Sequence, residues 1–180
     1  KSPDFELVSS TNKTTRLSNL WGKEPILLIF WRHNGCSCGF ARAEELIKNY
    51  NTIKKLGVNV VIINQAEPER AAFYAKERGL KGLLLSDPDY KVYKAFGLLD
   101  GKAPQILGTP SIDFTIGKGL QEDRRNTQRA LVDNPWLLPG EFIIDKTGTI
   151  RFIHRYSACN DFPQDYALKA ALESVIKKKS

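Results

Sequence analysis

The sequence predicts an α/β fold, a central mixed β-sheet flanked by helices on both faces, and three observations carry that expectation. Two near-continuous apolar runs, Ile26 to Trp31 and Val58 to Ile63, have the length and composition of strands buried on both faces. Between them Phe40, Ala43, Leu46, Ile47, Tyr50, Ile53 and Leu56 recur at three- and four-residue steps. That is the stripe of an amphipathic helix, so the two strands become parallel partners in a β-α-β unit. Near the C-terminus, Glu141 to Asp145 and Thr149 to Tyr156 flank Lys146-Thr147-Gly148, a hairpin that brings antiparallel pairing into the same sheet.

The other elements fall in order. Asp4 to Val8 alternates like an edge strand, Ser9 to Lys13 turns, and Thr14 to Leu17 returns, an N-terminal β-hairpin. Ser18 is placed to cap a short turn ending near Gly22, and Gly57 sits where the first long helix should stop. Pro68 opens a second helix in the first-turn position that proline tolerates, and Gly79 closes it. Leu83 to Leu85 is a short strand, and Tyr90 to Phe96 a short helix ended by Gly97. From about 98 to 138 the pattern fades into Pro and Gly punctuation, with only Leu120 to Val132 helical in character. A loop of that length points to an insertion, serving as a lid or an oligomer contact. Pro163 starts a last helix whose Leu168, Ala171, Leu172, Val175 and Ile176 form one face.

Cys36 and Cys38 fall between the first buried strand and its helix, where the helix begins. Unpaired backbone N–H groups there carry partial positive charge and stabilise a thiolate, lowering its pKa and raising its reactivity. Arg32 would push the same way, with His33 a second candidate. Free cysteine also packs as a small hydrophobe, but two thiols one residue apart at such a turn point to redox chemistry. Residues two apart on a helix face about 200° from each other, so a Cys36–Cys38 bond requires Cys36 to lie outside the helix. By topology the C-terminal hairpin returns the chain toward the same sheet edge, which makes Cys159 a candidate resolving thiol.

Composition sets bounds. The chain has 180 residues, 42% hydrophobic and 26% charged, the profile of one globular domain over 1–180. Net charge is +7, with Arg124, Arg125 and Arg129 clustered and Lys177-Lys178-Lys179 near the end. No zinc-finger spacing or aromatic-basic stacking motif accompanies that charge, so a solvated surface is expected rather than a nucleic-acid partner. No apolar run approaches the roughly 20 residues needed to cross a bilayer. Three cysteines do not make a disulfide scaffold. The expected compartment is cytoplasmic; the start at Lys1, without Met, leaves an extracytoplasmic location open through a removed leader.

With these residues in place, the chain resembles the alkyl hydroperoxide reductase/thiol-specific antioxidant branch of the thioredoxin fold, and within it the peroxiredoxin-like proteins. The matching stretches are PDFELVSSTNKTTRLSNLWGKEPILLIFWRHNGCSCGFARAEEL, VNVVIIN, LLLSDPDYKVYKAFGL, LPGEFIIDKTGTIRFIHR and DFPQDYALKAAL. The resemblance implies a thioredoxin-like fold, a peroxide or disulfide substrate, a thioredoxin- or glutathione-like reductant, no cofactor and no resident metal, and a homodimer as one assembly. The chain departs from the family pattern. Gly39 stands where the second cysteine of a Cys-x-x-Cys pair would be. His33 or Gly35 stands where a peroxide-orienting Thr or Ser is usual, counting back from Cys36 or Cys38. Pro139 replaces the substrate-binding Arg and matches the proline that thioredoxins hold in the cis form against their thiols. These departures weaken peroxidase activity as the expectation and strengthen thiol–disulfide exchange.

Three function classes stay open at this point. The first is a thiol-dependent oxidoreductase in which Cys36 attacks and Cys38 or Cys159 resolves, supported by Arg32, His33 and Pro139. The second is a copper- or zinc-handling module with Cys36, Cys38 and His33 as soft donors. The third is a non-catalytic scaffold with the insertion as its partner surface.

Overall fold

In the computed structural model the described residues are 1–34, 36–107 and 133–177. Seven strands form one sheet: β1 Glu6–Ser9, β2 Thr14–Arg16, β3 Ile26–Phe30, β4 Asn59–Asn64, β5 Leu83–Ser86, β6 Gly140–Ile144 and β7 Ile150–Arg155, in the order β2-β1-β5-β4-β3-β6-β7. β3, β4 and β5 are parallel, and the remaining pairs are antiparallel. The mixed sheet is therefore as the apolar runs predict. Register fixes where the ends meet: Phe30 pairs with both Ile63 and Gly140, and Gly140 pairs with Arg155. The C-terminal ends of β3, β4 and β7 and the start of β6 thus share one edge.

Every residue of β3 is buried, and alternation sends its side chains into two cores. Ile26, Leu28 and Phe30 face Leu17 and Trp21 of α1 (Leu17–Trp21) and Val92, Tyr93 and Phe96 in and after α4 (Lys91–Ala95). Leu27, Ile29 and Trp31 face α2 (Ser37–Lys55), α3 (Pro68–Arg78) and the C-terminal helix, through Leu46, Ala71 and Leu168 among others. Side chains of this kind contribute about 1.5–3 kcal/mol each when fully buried, so β3 is a rigid base for the residues that follow it. Tyr93 reinforces its end, donating its hydroxyl to the carbonyls of Trp31 at 2.6 Å and Ile63 at 3.0 Å. Burial raises the Tyr93 pKa well above the ordinary phenol value, so the group stays a neutral donor.

The structure revises several expectations. Arg16, not Ser18, precedes α1, and the Ser18 N–H is taken by Asp4 Oδ1 at 2.9 Å, a cap supplied from 14 residues away. Within the 98–138 segment a short helix, α5 (Ala103–Leu107), forms where none is predicted. The two limbs of that segment meet: Asp100 bridges Leu137, Gly101 N–H donates to Trp136 O at 2.8 Å, and Leu138 N–H donates to Leu99 O at 3.2 Å. The helix expected over 120–132 lies outside the described residues. The last helix, α6 (Asp165–Lys177), starts two residues after Pro163. The cis bond expected at Pro139 is absent, since no described peptide bond is cis. Pro139 leads straight into β6, its carbonyl accepts the Tyr156 N–H at 3.1 Å, and its peptide bond takes the ordinarily favoured trans form. No helix among the described residues is long and apolar enough to cross a membrane.

Candidate functional site

Beyond the end of β3 the chain leaves the sheet through Trp31, Arg32, His33 and Asn34, all buried. Cys36 then takes an extended conformation, φ −92° and ψ 129°, as the residue before α2. Lying outside the helix, it reaches Cys38 in the first turn; the two are disulfide-bonded, with Sγ atoms 2.15 Å and Cα atoms 5.3 Å apart. The arrangement matches the geometric requirement set by the one-residue spacing. Both sulfurs thus sit at the helix start, where unpaired N–H groups favour negative charge on a released thiolate.

Arg32 adds a full positive charge. Its Nη1 is in direct contact with Cys36 Sγ and 3.8 Å from Cys38 Sγ, and its Nη2 donates to Pro135 O at 2.6 Å. Burial lowers the Arg32 pKa from its ordinary value, partly offset by attraction to Cys159. His33 does not add to that charge. Burial, then Arg32 and Arg78, push its imidazole down to about 3, so it is neutral near pH 7 and forms part of the wall. Its candidacy as a second cation fails for that reason: one base is buried beside two guanidinium groups.

Cys159 comes to the same place. It is 1% exposed and free, and it packs with Cys36 and Cys38 in one cluster against Phe162. Burial raises its thiol pKa and Arg32 opposes the rise. Gln105 in α5 holds this loop, its carbonyl accepting the Cys159 N–H at 3.1 Å and its side chain donating to Ser157 O at 2.9 Å. Cys38, Cys159, Arg32, Trp31, Tyr156 and Pro139 share a recess of about 260 Å³ counted out to its open mouth. Pro139 thus lines the same recess as Cys38 and Cys159, in its trans form.

Sequence reasoning missed the polar residues behind this recess. Glu141 in β6 is fully buried and accepts from Arg42 Nε at 2.8 Å, Arg42 Nη2 at 2.6 Å and the Tyr156 hydroxyl at 2.6 Å. Burial would lower the Arg42 pKa, but Glu141 outweighs it and the net shift is upward, so the guanidinium stays charged. A lone carboxylate inside the run EFII was the available signal, because a charge in a strand buried on both faces needs a partner. Asn34 is a second missed centre: it exchanges amide hydrogen bonds with Asn64 at 3.1 Å and donates its backbone N–H to Asp133 Oδ2 at 2.9 Å. Among the described residues no group of three or more His, Cys, Asp or Glu side chains is arranged to hold a metal ion.

Similar proteins share this framework. The curated relatives include peroxiredoxin Bcp of Escherichia coli, 28% identical over 101 residues covering 56% of this chain and 64% of that protein. The chloroplastic thioredoxin-like protein AAED1 of Arabidopsis thaliana is 27% identical over 109 residues, 61% of this chain and 43% of that protein. The chain thus spans less than two thirds of the length of either relative. Among solved structures, peroxidoxin BcpB from Mycobacterium tuberculosis superposes with a TM-score of 0.63 at 20% identity, covering 99% of this chain and 95% of its own. The thioredoxin domain of a thiol-disulfide oxidoreductase from Bacteroides vulgatus gives 0.57 at 14% identity, covering 98% and 93%. These likenesses establish the thioredoxin fold, and a family model covers the chain as far as Ile153 in β7. Because residues 1–153 match the model described as the AhpC/TSA family, the chain belongs to that family.

Proposed function

We propose that the protein is a thiol-dependent oxidoreductase in which Cys36 is the attacking thiolate and Cys38 the resolving thiol. The observation that carries this reading is a Cys36–Cys38 disulfide at the start of α2 with the Arg32 guanidinium against Cys36. In the dithiol form, Cys36 S⁻ attacks one sulfur of a disulfide, giving a mixed disulfide and expelling a thiolate that takes up a proton. Cys38, deprotonated, then attacks Cys36 Sγ, releasing the second substrate thiol and closing the Cys36–Cys38 bond. With a peroxide ROOH, Cys36 S⁻ takes the terminal oxygen and ROH departs. The resulting sulfenic acid condenses with the Cys38 thiol, losing water.

The disulfide is then reduced by two electrons from an external dithiol of the thioredoxin type or from two glutathione-like thiols. Cys38 is 9% exposed against 3% for Cys36, and it lines the recess. Attack by the reductant at Cys38 expels Cys36 as the thiolate that Arg32 stabilises, the better leaving group. Cys159 packs against the pair and serves as a second resolving thiol for oxidised Cys36. The test is turnover of hydrogen peroxide and of a model disulfide, each with a dithiol reductant. Cys36→Ser should abolish whichever reaction the wild-type protein catalyses, and activity surviving that change would remove Cys36 as the nucleophile.

A further inference from the structure

The return limb of the 98–138 segment fastens onto the loop that carries the reactive thiol. Two of its residues, Asp133 and Pro135, make the attachment. Asp133 is 6% exposed, and its Oδ2 accepts both the backbone N–H of Asn34 at 2.9 Å and the Asn34 side-chain amide at 3.2 Å. Its Oδ1 pairs with Arg70 of α3 at 2.5 Å, which fixes the carboxylate from the opposite side. Pro135 offers its carbonyl to Arg32 Nη2, leaving Nη1 of the same guanidinium on Cys36. Arg78 Nη2 closes the loop from α3 by donating to Asn34 O. A guanidinium at the end of a long side chain loses rotamer entropy when held in one place, and here one segment supplies both the hold on the loop backbone and the hold on the charge.

We propose that Asp133 is a positioning residue for the thiol chemistry: by fixing Asn34 and the limb that ends in Pro135, it keeps the Arg32 guanidinium on Cys36 Sγ. The inference rests on Cys36 being the nucleophile, and its test separates the two ideas through the sign of one number. A carboxylate near a thiolate raises the thiolate's pKa by repulsion, so deleting Asp133 as a mere charge would lower the Cys36 pKa. Deleting it as the anchor of Arg32 raises that pKa. The charged and titratable groups around Cys36 are Arg32, Cys38 and Cys159, with His33 and Arg78 on or against the loop.

The experiment follows iodoacetamide alkylation against pH in the full chain carrying Cys38→Ser and Cys159→Ser, where Cys36 is the only thiol. In that background Asp133→Ala should move the midpoint up by about one unit, roughly a tenfold change in the ionisation constant. Added to Arg32→Met, it should give no further rise, because the anchored charge is gone. A downward or absent shift, or a full further rise in the Arg32→Met protein, overturns the proposal. An unshifted midpoint in the protein with Asp133 and Arg32 intact overturns the Cys36 assignment instead. Should Asp133→Ala fail to fold, Asp133→Asn keeps the shape but cannot satisfy Asn34 and Arg70 together, and the same upward sign is required of it.

Discussion

Arg32→Met is the most direct probe of the site, because it keeps much of the aliphatic stem and removes only the guanidinium. Two unit charges about 4 Å apart at an effective dielectric near 20 attract by roughly 4 kcal/mol. A charge-assisted hydrogen bond contributes about 1.5–3 kcal/mol net of solvation, which is the better guide for a group already removed from water. At about 1.36 kcal/mol per pKa unit, the Cys36 midpoint should rise by about one to two units. The midpoint must be read, not the rate at a single pH. Intrinsic thiolate nucleophilicity grows with pKa, with a Brønsted slope of about 0.4–0.5, so the rate at neutral pH falls much less than the thiolate fraction. The assay is the pH profile of iodoacetamide labelling in the protein whose only thiol is Cys36. A profile that is unmoved, or shifted down, would mean that the start of α2 acts alone and that the Arg32 contact is incidental.

Glu141→Ala should cost about 3–5 kcal/mol in denaturant unfolding, since it strands a buried guanidinium whose remaining carboxylate partner among the described residues is the partly exposed Glu45; a loss below about 1 kcal/mol would mean that water or a rearranged side chain replaces the carboxylate. Asp145 supplies an acid-range prediction: burial opposes its ionisation, but Thr147, Thr149 and Arg151 outweigh it and hold the carboxyl well below the usual range. A depressed folded pKa stabilises above the unfolded value near about 3.9 and is lost as pH falls below it, so unfolding free energy measured against pH should decline less steeply below about 4 in Asp145→Asn than in the native sequence. Cys159 is tested by mild peroxide treatment of Cys38→Ser followed by mass mapping of thiols: a Cys36–Cys159 linkage is expected, and Cys159 always recovered free would end its role as a resolving thiol.

Most of the sheet was legible because its strands are held by a signal that sequence carries directly. β3 and β4 are buried on both faces and read as unbroken apolar runs, and the stripe of α2 sets the parallel crossover between them. The misreadings share a cause, which is that the deciding partner is remote. Ser18 is a good capping residue, but Asp4 supplies the acceptor at α1. Ala103-Pro104-Gln105-Ile106-Leu107 is too short to show periodicity, and its helix is held by Gln105 bonding to Ser157 and Cys159. Pro139 sits where the family match places a cis bond, yet its backbone continues directly into the β6–β7 ladder.

The chemistry at the site divides along the same line. The one-residue spacing required Cys36 to lie outside the helix if it bonded to Cys38, but did not say that the bond forms, and Arg32 was marked by adjacency alone. His33 was misjudged as a helper because its state is set first by burial, then by its neighbour Arg32 and by Arg78, which arrives from α3 and cannot be placed by counting residues. Arg42 and Glu141, like Asn34 and Asp133, are 99 residues apart and become partners only when β6 lies beside β3 and the insertion returns to the sheet edge. This explains why the two limbs of the 98–138 segment matter more than its weak sequence pattern suggested. The outgoing limb holds the Cys159 loop through Gln105, and the returning limb holds the Cys36 loop through Asp133 and Pro135. Since Asp100 and Leu137 join those limbs to each other, the loops bearing the thiols are braced by one common element, and the relative placement of Cys36 and Cys159 is set by the insertion as well as by the sheet.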